Sequence, residues 1–312
     1  MKIKTGKFSL SATLLLFFTI LTFALVALYS EGILSKNFLS TFTCLFLILT
    51  IGVSHGALDN IKGYKILKIY KIKNKFIFYL GYIFFSFLVI LIWILFPTLA
   101  LTAFLIVAAY HFGKEDCWMV PVNKSKLNSV KFFLKGLLII LAPLLLSFNE
   151  TILIFKTLGV KNQEFYSLLS LINLNEIFFY LVGLSILSNI FINRSPRYLA
   201  VFSIEIFCIL GLYNSFNPLV AFTIYFCFLH SLKHSASLIK EFDIGINGFI
   251  RKAWPLTLLT VIFFFIGIYV LTGFQKVAID SSIINVIFIG LASLTFPHIL
   301  LEYLLEKNEK KS

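Results

Sequence analysis

Apolar runs of roughly 20 residues, the length that crosses a bilayer as a helix, alternate with short lysine-rich breaks along this chain. Windows of that size predict helices at 9–29, 38–58, 76–96, 98–112, 132–148, 177–193, 198–214, 218–238, 254–274 and 283–305. The fourth is short, and Pro97 separates it from the third, so this pair reads as a tight hairpin or as one broken segment with a re-entrant part. Residues 151–173 are amphipathic and are expected to lie along a surface. The uncharged run Phe8–Ser30 exceeds the ~7–15 residues of a signal-peptide core, which makes it an uncleaved first helix.

Charge placement then tests the count. With about ten spans and a cytoplasmic N-terminus, the outer segments keep only Lys36, Lys156, Lys161 and Lys276 of the 27 Lys and Arg. The rest fall on the inner side, with Lys135 and Lys233 near inner helix ends. Such a bias orients multi-span proteins. The expected fold is therefore an all-α, polytopic transmembrane bundle with both termini cytoplasmic, in the cell membrane. No repeat, linker or low-complexity segment divides it, so residues 1–312 form one domain: a histidine-bearing bundle over about 38–305 and an extra N-terminal span.

Composition agrees. Hydrophobic residues make up 59% and charged residues 13%, with mean hydropathy +0.96; a soluble domain carries about 25% charged residues. The net charge of +13 sits in short loops that hold no nucleic-acid-reading module, so nucleic acid is excluded as a partner and the lipid bilayer expected as one. Cys44, Cys117, Cys208 and Cys227 form no CxxC pair and read as small buried hydrophobes.

The chemistry lies in the histidines. His55, His111, His230, His234 and His298 all fall within, or at the end of, the second, fourth, eighth and tenth predicted helices. Those helices run in the same direction, and each histidine lies in the inner half of its helix. Ionisable groups at such positions are costly and face an interior site, so histidines at similar depth on four helices can converge. His230 and His234, four apart, share one helix face as chelation requires. His298 lies deepest from its helix end and is held as a further candidate only. Imidazole suits iron, copper or zinc, and the scarcity of carboxylate clusters argues against magnesium or calcium. Acids one turn away offer outer partners for the imidazoles: Asp59 for His55, Glu115 for His111 and Glu302 for His298, with Asp116 slightly off face. The competing reading makes them solvated helix-end acids facing the lysine-rich loops. Glu205 falls mid-helix and must be protonated or paired. Tyr110, Tyr225 and Phe226, beside the histidines, could line an apolar tunnel, although aromatic residues in so apolar a chain ordinarily pack helices.

Four segments, GVSHGALD (52–59), YHFGKED (110–116), TIYFCFLHSLKHS (223–235) and FIGLASLTFPHILLE (288–302), resemble the hallmark segments of the Brp/Blh family of integral-membrane β-carotene dioxygenases, which accompany microbial rhodopsins. The resemblance runs from about residue 38 to 305, in order and with similar spacing. It implies cleavage of β-carotene at its central double bond by O₂, giving two molecules of all-trans-retinal with both oxygen atoms incorporated. It also implies a non-haem Fe(2+) held by His55, His111, His230 and His234, and a functional link to a retinal-binding rhodopsin. Ser54, where the segment often carries proline, and the charged Lys114-Glu115 depart from the pattern. Three other classes compete: another histidine-ligated membrane metalloenzyme of hydroxylase or desaturase type, which usually needs about eight histidines against the five here; a haem-binding electron carrier using histidine pairs across helices; and a non-enzymatic membrane carrier relaying protons through Glu205 and the histidines.

Overall fold

The computed structural model describes residues 5–117, 126–192 and 195–309. Lys2, Lys4, Lys124, Arg194, Lys310 and Lys311, counted above toward the inner side, lie outside them. Among the described residues every regular element is helical. In order these are α1 (Thr5–Ser30), α2 (Thr41–Leu47), α3 (Asp59–Ile69), α4 (Phe76–Leu95), α5 (Pro97–Asp116), α6 (Lys126–Leu146), α7 (Phe148–Thr157), α8 (Gln163–Leu174), α9 (Ile177–Ile192), α10 (Pro196–Ser215), α11 (Pro218–Tyr225), α12 (Leu232–Glu241), α13 (Ile246–Tyr269) and α14 (Ile279–Glu309). A π turn (Ile48–Gly52) and a 3₁₀ turn (Val53–Leu58) join α2 to α3. A second π turn (Phe226–Ser231) joins α11 to α12, and a third (Val270–Phe274) ends α13.

Helix starts follow local chemistry. Pro97, Pro196 and Pro218 open α5, α10 and α11, where a missing N–H costs nothing. Ser40, Asn162 and Asn217 cap α2, α8 and α11 by accepting from the backbone N–H of Thr43, Phe165 and Leu219.

Among the described residues six helices are long and apolar enough to cross a membrane: Ala12–Ser30, Phe76–Leu95, Asn128–Leu146, Pro196–Ser215, Ile246–Phe274 and Ile279–Asn308. A seventh appears if Gln163–Leu174 and Ile177–Ile190, bent by 70° at their junction, count as one. Six or seven such helices stand against about ten expected spans, and the reasons are local. The 38–58 and 218–238 windows are interrupted by π and 3₁₀ turns, and α5 carries Lys114, Glu115 and Asp116 in its last turn. The amphipathic 151–173 stretch divides into the end of α7 and most of α8.

The core is built from α5, α6, α9, α10, α11 and α14, with α1 packed on α10 and α4 on α14. α4 buries only Trp93, whose indole N–H donates to the Leu158 carbonyl at 3.0 Å. Most of its remaining Phe, Ile and Leu side chains are exposed, an apolar surface unusual in water.

The closest helix approach joins α5 to α6. A Cβ on Gly113 would stand 1.7 Å from the Phe132 carbonyl oxygen, and one on Gly136 would stand 1.7 Å from that of Ala109. Small residues let backbones touch in this way. Gly113→Ala is therefore expected to push the helices apart and destabilise the fold by about 1–3 kcal/mol. Gly81→Ala and Gly183→Ala, with open space around each, should be neutral or slightly stabilising. Thermal unfolding of the three variants in detergent checks this; a Gly113→Ala protein as stable as the controls would refute the packing argument.

Candidate metal centre

Four of the five histidines converge. The His111 ring centroid lies 5.3 Å from that of His298 and 5.4 Å from that of His230, and His234 lies 5.7 Å from His298. All four are buried. They come from α5, the second π turn, α12 and α14, so the site ties together segments distant in sequence. A π turn holds one extra residue per turn and recurs at functional sites. Here it carries His230 and presses Phe226 against the first π turn, where any Cβ on Gly52 would lie 2.5 Å from the Phe226 ring. The i,i+4 pair is spread across the cluster: His230 meets His111, and His234 meets His298. His55 stands in the 3₁₀ turn Val53–Leu58, but its side chain lies outside the described residues.

Three of the four imidazoles have a carboxylate near Nδ1, though not always the expected one. Asp59, expected beside His55, accepts from Nδ1 of His298 at 2.8 Å. Glu115, expected beside His111, accepts from Nδ1 of His234 at 2.7 Å. Asp116 lies 3.7 Å from Nδ1 of His230 and accepts the Tyr225 hydroxyl at 2.7 Å. A carboxylate that takes Nδ1–H fixes the tautomer and turns Nε2 toward the centre, the outer-partner arrangement of metal-ligating histidines. Tyr82 donates to Asp59 at 3.0 Å.

Glu302 also joins the site. One donor atom from each of His111, His298 and Glu302 lies within 4.8 Å of the others, and Glu302 takes the Lys62 ammonium at 2.9 Å. Two ligands at ~2.1 Å from one ion are at most ~4.2 Å apart, so small side-chain shifts would close this set. Charge points the same way: Asp59, Glu115, Glu302 and Glu306 face Lys62 and Lys114, leaving two negative charges, the complement of a divalent cation. The residues fit a metal ion.

Glu205 is paired. It takes Lys135 at 2.6 Å and Lys233 at 3.1 Å, and Lys233 reaches Asp116 at 3.6 Å. Lys135 and Lys233, counted as inner helix-end charges, are thus 7% and 6% exposed members of an internal network. The spacing of Lys233, between the two histidines of HSLKH, was the available signal for it. All four cysteines are free and buried, as expected.

A cavity of about 20 Å³ opens on His111 and His230, walled by Phe104, Phe112, Phe222 and Phe226. About 10–15 Å³ admits one water, so the space suits a single diatomic or water-sized molecule. Of the aromatic residues singled out earlier, Phe226 lines this cavity, Tyr225 anchors Asp116 and Tyr110 packs against Phe132.

Comparison with known proteins decides the family. The family model for beta-carotene 15,15'-dioxygenase matches residues 46–306. The chain belongs to the beta-carotene 15,15'-dioxygenase family. It is also similar to the beta-carotene 15,15'-dioxygenase of uncultured marine bacterium 66A03, with 28% identity over 261 residues that cover 82% of this chain and 90% of that protein. No solved structure matches. The match begins after α1 and takes in all four histidine-bearing segments, so family membership rests on the part of the chain that builds the site.

Proposed function

We propose that the protein is a membrane-embedded, iron(II)-dependent dioxygenase that cleaves β-carotene at its central double bond with O₂, giving two all-trans-retinal. The observation that carries this reading is the convergence of four buried imidazoles, three of them near carboxylates, in a chain of this family. His111, His230, His234 and His298 would hold the iron, with Glu302 beside them. His55 remains a fifth proposed ligand on the strength of its segment. The donor set also suits zinc or copper; iron is preferred because the family name specifies a dioxygenase. Bound there, iron would supply the one-electron chemistry that O₂ needs to react with a closed-shell polyene.

The chain's own residues do the rest. Asp59, Glu115 and Asp116 orient the imidazoles. The phenylalanine wall keeps water from the small cavity beside His111 and His230, and its ring faces favour positive charge developing on the polyene. No general acid or base is required, since no proton is transferred overall.

The outward-facing apolar helices support embedding in a bilayer, from which so apolar a substrate would enter. The lysine distribution supports both termini on the cytoplasmic side, and the short π-broken and 3₁₀-broken segments complete a bundle of about ten passes at the cell membrane. A retinal-binding rhodopsin would be the natural consumer of the product.

Expression in bacteria that accumulate β-carotene tests the reading. Colour should fade, retinal should appear on chromatography, and an iron chelator should prevent both. Unchanged β-carotene alongside well-inserted protein would overturn it.

A further inference from the structure

Beside the histidines, on the outward side of the bundle, lies a second and much larger space. It is a groove of about 490 Å³ between α4, α5 and α14, within the ~300–1,000 Å³ usual for small-molecule sites. Its lining is wholly apolar: Val89 and Ile92 from α4, Ala100 and Ala103 from α5, and Phe296 and Pro297 from α14 mark its sides and floor. The floor is buried, Ala100 being 6% exposed, whereas Leu99 and Leu300 at the rim are 62% and 38% exposed. The groove is therefore open on its outer side and closed toward the core.

Two features make this more than a gap between helices. It exists because α5 presents two alanines where its neighbours on α4 and α14 are large, so the space follows from sequence. Its floor also borders the centre along both helices. Pro297 in its floor precedes His298, Ala103 precedes Phe104 of the small cavity's wall, and Phe296 follows Thr295 of that same wall. An elongated apolar molecule lying in the groove would rest against the wall that α5 and α14 share with the histidine site.

We infer that this groove is the binding site for one arm of a linear polyene hydrocarbon, which enters sideways between α4, α5 and α14 and ends with its reacting bond beside His111 and His298. The inference deepens the function proposed above and rests on it. An occupant with a charged or hydrogen-bonding head would leave that group unmatched against an apolar lining. A symmetrical hydrocarbon has no such head. The depth of the groove, rather than any polar contact, then sets which double bond reaches the centre.

Ala103→Trp fills the groove. Ala103→Leu does so partially, and Ile94→Trp adds the same bulk on the outer face of α4, where Ile94 is 71% exposed and outside the groove. Retention of β-carotene is read first, in the absence of O₂, as carotenoid bound per purified iron-loaded protein. Ala103→Trp should lower it about tenfold or more, and Ala103→Leu less, with iron content unchanged. Ile94→Trp should bind as the parent does. On admitting O₂, kcat/KM should fall in the same order. If Ala103→Trp does not insert, Ala103→Leu alone decides the direction. Parent-like binding and turnover in the Ala103 variants would overturn the inference while leaving the dioxygenase reading intact, as would a groove that retains a lipid acyl chain while carotenoid binds undisturbed. Binding that depends on Ala103 with no retinal formed would overturn the reaction and leave the groove standing.

Discussion

His298→Ala is expected to abolish retinal formation and strip the protein of iron while leaving it inserted in the membrane. The imidazole sits between the Asp59 carboxylate and His111, and its Nε2 lies 3.7 Å from Glu302. Removing it deletes a ligand and strands two carboxylates against a single Lys62. Loss of an outer partner alone typically costs 10–100-fold in metal affinity or activity, so Asp59→Asn should fall in that range. His298→Ala should exceed it, with activity down by about a hundredfold or more. Iron per protein, measured elementally on the purified variants, separates this from simple misfolding, as does an unchanged unfolding temperature for the metal-free forms. An active His298→Ala protein with full iron would remove this residue from the centre and return the ligand set to His55, His111, His230 and His234.

The sequence made the histidines legible as a group because depth in a helix can be read from hydropathy alone. Which imidazole meets which acid could not be read in that way. Helical spacing pairs a residue with neighbours one turn along its own helix, so Asp59 was matched to His55 and Glu115 to His111. The partners come instead from other helices: Asp59 crosses from α3 to His298 on α14, and Glu115 crosses from α5 to His234 on α12. His298 lies far from its helix end, yet it sits beside His111, their ring centroids 5.3 Å apart. The long apolar helices are fewer than the hydropathy windows for a related reason. A hydropathy window assumes a regular rise per residue, whereas the π and 3₁₀ turns around Gly52, His55 and His230 change the rise and bend the axis. The segments that carry the chemistry are thus the ones least like ideal spans.

The charges of the interior follow the same logic and give the second large effect. Glu205 is 1% exposed and holds both Lys135 and Lys233. Lys135 also donates to the Asp116 carbonyl at 2.8 Å. Asp116 in turn receives Tyr225 and faces His230, so the network braces the second π turn from behind. Two carboxylates and two ammonium groups balance, and each depends on the others for its solvation. Removing one member of a buried pair costs about 3–5 kcal/mol, because its partner stays charged and dry, whereas removing both can be nearly neutral. Glu205→Leu should therefore destabilise the protein by roughly that amount or more, with a large drop in unfolding temperature. Adding Lys135→Met should restore much of the loss, since Lys233 keeps Asp116 at 3.6 Å. A proton-relaying carrier predicts a different pattern: transport would fail in both variants whatever their stability. Recovery of stability and retinal formation together in the double variant would assign Glu205 to holding the site's frame. Continued inactivity in a stable, iron-loaded double variant would assign it to the chemistry instead.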